Sequence, residues 1–151
     1  FDLYPKIWCF QIFVIYLNQK VNPDLFSRTN YDVLNLIRHY DKTPKQEIID
    51  TAITLIEWML SEDKDKENRD IYFLNLAQAI KRRDGKLEDN VINRLLELSF
   101  ETRKTDHQFA CCVLLDEQQR ANYLWSKLSD EDKKTLETMP ICKLLKSNHN
   151  G

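Results

Sequence analysis

The chain has 151 residues, the ordinary size of one domain, and 42% of them are hydrophobic, so it contains enough apolar material for a core. Its 22 basic and 24 acidic residues leave a net charge of -2, which excludes the simplest form of non-specific nucleic-acid binding, since that form requires an excess of basic residues. The two glycines, Gly85 and Gly151, are too far apart to form a phosphate-binding loop or a dinucleotide-binding fingerprint, and their scarcity disfavours all-β folds.

The first predicted element is the apolar segment 7–17, IWCFQIFVIYL, which we expect to be a buried helix or another central element. It is too short to span a bilayer as a helix, and no small-residue cleavage site follows it. Because the chain begins at Phe1 rather than methionine, we expect a longer parent protein, with this segment packed on a neighbouring part of it. Large aromatic side chains anchor interfaces, so the aromatic residues here are candidate partner-binding residues: Trp8, Phe10, Phe13 and Tyr16.

Two helices are predicted next, over residues 30–40 and 43–60. Both segments repeat apolar residues every three to four positions, which is typical of a helix with one buried face. At the start of the second helix, we expect Thr43 to cap the backbone and Pro44 to occupy the first helical position. The polar segment 61–70 lacks the spacing and central glycine of an EF-hand loop, so we expect a solvated helix end and connection there.

A further helix is predicted from residue 71 to a stop at Gly85. Positive charges in the last turn of a helix complement its dipole, and glycine suits the residue that ends it. The three cations of that last turn, together with Lys86 just after it, also form the candidate nucleic-acid contact. These cations are Lys81, Arg82 and Arg83. The helix that follows, within residues 87–104, is expected to turn its apolar residues inward: Val91, Ile92, Leu95, Leu98 and, as a further candidate, Phe100.

The stretch DHQFACCVLL, residues 106–115, raises the question of a metal or redox site, because His107 and Cys111 lie one helical turn apart. A metal would need further ligands, and a reactive thiolate would need an electropositive setting and a base held by a third group. The sequence identifies neither the further metal ligands nor the setting of a reactive thiolate. We therefore expect this stretch to be part of the hydrophobic core, with Cys112 as a small buried hydrophobic residue. The cysteines of the chain match no zinc pattern, and we expect reduced thiols in a cytoplasmic protein.

Three helix starts are predicted in the last third of the chain, and each rests on a capping residue followed three positions later by a suitable partner. These pairs are Thr105 with Gln108, Asp116 with Gln119, and Ser129 with Asp132, and Pro140 is expected to open a last short helix. Residues 109–140 loosely resemble one degenerate helical repeat of the tetratricopeptide kind. The spacing differs from that family's and no earlier stretch repeats it, so no family is assigned.

The predicted fold is all-α, with seven to eight mostly short helices packed as antiparallel hairpins, in a helical bundle or a short helical-repeat-like array. We expect one domain over residues 1–151, divided into an N-terminal apolar segment and connection at 1–28 and a helical hairpin array at 29–151. Tyr123 and Trp125 in this array join the candidate partner-binding residues.

No catalytic, metal-binding or cofactor-binding residues are predicted. We therefore expect a non-enzymatic helical protein-interaction or regulatory domain of a larger cytoplasmic protein. Its partner would be another protein or another domain of the same chain, with no membrane contact. The alternative is an accessory or sensor domain of a nucleic-acid-processing enzyme, in contact with nucleic acid through the basic cluster at residues 81–83.

Overall fold

The computed structural model describes residues 24–145, and this part of the chain is all-α. It contains seven α-helices and one 3₁₀ helix: α1 (Leu25–Lys42), α2 (Gln46–Glu62), α3 (Lys66–Asp84), α4 (Asp89–Glu101), α5 (Thr105–Leu114), α6 (Gln118–Lys127), α7 (Asp130–Glu137) and the 3₁₀ helix Pro140–Leu144. The predicted all-helical fold is therefore confirmed. Within residues 24–145, no helix is both long and apolar enough to cross a membrane.

The described residues group into two compact units, and the boundary between them falls within α3, between Ala79 and Ile80. In the first unit, α1 and α2 pack against each other along their apolar faces. Helix α1 begins at Leu25, earlier than predicted, because Leu25 and Thr29 continue its buried face and the Thr29 hydroxyl donates to the Leu25 carbonyl at 2.8 Å. The predicted single domain over the whole chain stays a prediction.

The connection between α2 and α3 is short, and one of its charged residues, Asp63, is buried. Only residues 63–65 lie outside the helices, and Asp63 is 8% exposed. Its carboxylate accepts hydrogen bonds from the Tyr72 hydroxyl at 2.7 Å, from Asn68 Nδ2 at 3.1 Å and from the Asp65 backbone N–H at 3.0 Å. The expected solvated helix end and connection agrees with the exposure of most of residues 61–70, but it is wrong at Asp63, because this residue is the acceptor that closes the turn.

In the second unit, α5 packs against α4, α6 and the 3₁₀ helix. Phe109 is fully buried on α5, and its ring centroid lies 5.3 Å from that of Trp125 on α6. Cys111 and Cys112 are also fully buried. The expectation that DHQFACCVLL is core rather than an exposed site is confirmed for these side chains, while His107 at its start is half-buried.

The helix starts predicted from capping residues agree with the structure only at Ser129, whose Oγ accepts the Asp132 backbone N–H at 3.1 Å. Thr43 instead ends α1, and its backbone N–H donates to the His39 carbonyl, because the following Pro44 disfavours helical backbone at Thr43. Thr105 lies inside α5, and Gln108 donates from Nε2 to the Thr102 carbonyl rather than closing a capping box.

Two further predicted helix boundaries have clear backbone causes. Gly85 ends α3 with φ +76°, and its N–H donates to the Lys81 carbonyl at 2.8 Å, as expected of a C-terminal glycine. Asp116 does not start α6, because it adopts φ +59° in the turn after α5, and α6 begins only at Gln118. Aspartate tolerates this left-handed backbone better than most residues.

Replacing Ser129 with alanine should destabilise α7 by about 1 kcal/mol, because the Asp132 N–H loses its acceptor. The readout is amide hydrogen exchange, which we expect to become roughly fivefold faster across residues 130–137. Thr43→Ala is the matched control, since no side-chain cap bond exists at the start of α2, and exchange in that helix should not change. Equal effects of the two substitutions would contradict this assignment of the caps.

Candidate interaction surface

Helix α4 exposes two large apolar side chains one turn apart, Leu96 at 37% and Phe100 at 79%. Leu95 and Leu98 on the same helix are fully buried. Because successive helical residues are rotated by about 100°, Leu95 and Phe100 point in directions about 140° apart, so both cannot face one core. The expectation that Phe100 turns inward is wrong. We call Leu96 and Phe100 together the α4 apolar surface.

Helix α4 also carries exposed charged side chains, of which Glu97 lies beside Phe100 because the two are three residues apart. Arg94 Nη1 lies 3.6 Å from Glu97 Oε2 and 3.6 Å from Glu101 Oε2, on side chains that are all partly exposed. Two acidic residues, Glu88 and Asp89, begin the helix, and both are exposed. An apolar centre with a charged rim is the usual arrangement of a protein-binding surface.

Leu96 and Phe100 are not among the predicted partner-binding residues, which have different surroundings. Tyr123 on α6 is 60% exposed, and Lys127 Nζ lies 5.3 Å from its ring centroid, a cation–π contact. Trp125 is half-buried, with its ring against Phe109. Their exposed fractions differ because two residues along a helix turn the side chains to different sides. The remaining candidates lie outside the described residues: Trp8, Phe10, Phe13 and Tyr16.

The basic cluster at the end of α3 already has partners within its own unit. Lys81 Nζ donates to the Leu114 carbonyl at 2.7 Å and lies 2.9 Å from Asp116 Oδ1, where it closes the end of α5. Arg82 Nη2 donates to the Pro140 carbonyl at 2.8 Å. Phosphate would have to compete with these internal contacts for both cations.

The remaining two cations of the proposed nucleic-acid contact lie nearer to solvent. Arg83 Nε donates to Asp84 Oδ1 at 2.9 Å, and this hydrogen bond is the main cause that holds the pKa of the Asp84 carboxyl below its ordinary value. Lys86 is exposed. The neighbouring Asp84 carboxylate offsets part of their positive charge, and a nucleic-acid role for this cluster stays a prediction.

Thiol chemistry is disfavoured at the buried cysteine pair. Burial raises the pKa of the Cys112 thiol, partly opposed by the positive charge of Arg120, so the neutral thiol is favoured and solvent does not reach it. Burial likewise raises the pKa of the half-buried Cys142. Within residues 24–145, no three histidine, cysteine, aspartate or glutamate side chains are grouped closely enough to hold a metal ion.

Comparison with known proteins finds no match for this chain among family models, curated proteins or solved structures. Its function has to be inferred from its own residues. The strongest surface feature is the α4 apolar surface, and only a weak sequence signal marks it. In VINRLLELSF, apolar residues occupy more than one face of the helix, so some of them have to point away from a single core.

Proposed function

We propose that this chain is a non-enzymatic helical protein-interaction domain of a larger cytoplasmic protein, and that the α4 apolar surface is its binding site. One observation carries the proposal: Phe100 is 79% exposed although it lies on a well-packed helix. Single exposed apolar residues are common on protein surfaces, but a phenylalanine with a leucine one turn away forms a continuous apolar strip along the helix.

Burial of such a strip against a partner would contribute favourably to the free energy of binding. Fully burying an exposed phenylalanine side chain contributes roughly 1.5 to 3 kcal/mol, which is a useful part of the free energy of a weak complex. Leu96, which is 37% exposed, would add only a fraction of that amount. Glu97, three residues before Phe100 on the helix, would lie at the rim, where charges influence specificity and association rate more than affinity. Tyr123 on α6 is a second exposed aromatic residue available to a partner.

Affinity capture of the tagged protein from native extract tests this proposal, with wild type compared with Phe100→Asp. We expect at least one protein to bind wild type and to be reduced roughly tenfold or more on the variant, because a charge in an apolar interface is desolvated without a partner. The matched control is Glu131→Asp on α7, an exposed and conservative change that should leave capture unaffected.

The same experiment with nuclease treatment distinguishes this proposal from the alternative, an accessory domain that contacts nucleic acid. Binding that nuclease abolishes, and that charge reversal at Arg83 and Lys86 weakens, would favour the accessory role on nucleic acid. Identical capture by wild type and Phe100→Asp would contradict the α4 apolar surface as a binding site.

A further inference from the structure

We draw no further inference here: the strongest candidate, the α4 apolar surface of Leu96 and Phe100, already carries the proposed function, and nothing in the structure shows what covers it.

Discussion

Replacing Phe109 with alanine is expected to lower the free energy of unfolding by about 3 to 5 kcal/mol. The side chain is fully buried on α5, where α4, α6 and the 3₁₀ helix converge, and its ring packs on Trp125. Removing it leaves a cavity whose walls collapse only partly, and it also removes the aromatic pair. Urea denaturation followed by circular dichroism measures the change.

Tyr123→Ala is the matched control for this prediction, because it removes another aromatic ring two residues from Trp125 that is 60% exposed. We expect its effect on the free energy of unfolding to stay within about 0.5 kcal/mol. A loss of less than about 1 kcal/mol in Phe109→Ala would contradict the placement of this ring at the centre of the second unit.

The second large effect is expected at Asp63, where alanine should lower the free energy of unfolding by about 2 to 3 kcal/mol. The substitution removes the acceptor of the Tyr72 hydroxyl, of Asn68 Nδ2 and of the Asp65 N–H, in a turn where Asp63 is 8% exposed. Tyr72→Phe removes only one of these bonds and should have a smaller effect, about 1 kcal/mol.

The same carboxylate gives the stability a defined pH dependence. Burial raises the pKa of Asp63, but the hydrogen bonds from Tyr72, the Asp65 N–H and Asn68, with the charge of Arg69, outweigh it and hold the pKa below the ordinary 3.8. A carboxyl whose pKa is lower in the folded state stabilises the fold above its unfolded-state pKa. This contribution is lost as the pH falls through the folded-state value.

Urea denaturation of wild type and Asp63→Asn, from neutral pH down to acid, checks this sign. The difference in the free energy of unfolding should be largest near neutral pH and should shrink below about pH 4. A double-mutant cycle with Tyr72→Phe should show coupling between the two side chains. A difference that grows on acidification, or an absence of coupling, would contradict the role of Asp63 as the acceptor in this turn.

Much of the fold could be predicted from the sequence because the apolar spacing of most segments is unambiguous. Residues 43–60 present one broad apolar face. In DHQFACCVLL, no further metal ligand or catalytic partner of the histidine and cysteines can be identified, so the stretch is predicted to belong to the core. Gly85 ends α3 and Ser129 caps α7, as predicted. Both roles depend on the residue itself, because glycine readily adopts a left-handed backbone and a serine hydroxyl can accept a backbone N–H at a helix start.

The errors arose where a local pattern competed with its surroundings. Thr43 has the sequence of a cap, but Pro44 places it in the preceding turn. Asp63 lies in a run of charges, and only the tertiary position of Tyr72 shows that it is buried. Phe100 follows two buried leucines, and its outward direction depends on how Leu95 and Leu98 fix the rotation of α4.

Site-specific photo-crosslinking at position 100 tests the binding role of α4 most directly. A photo-reactive amino acid replaces Phe100 in the full-length protein in native extract, and a control protein carries it at the exposed position of Glu131 on α7. We predict a discrete protein adduct from position 100 and none from position 131. Equal labelling from both positions, or no adduct from position 100, would contradict α4 as the interaction surface.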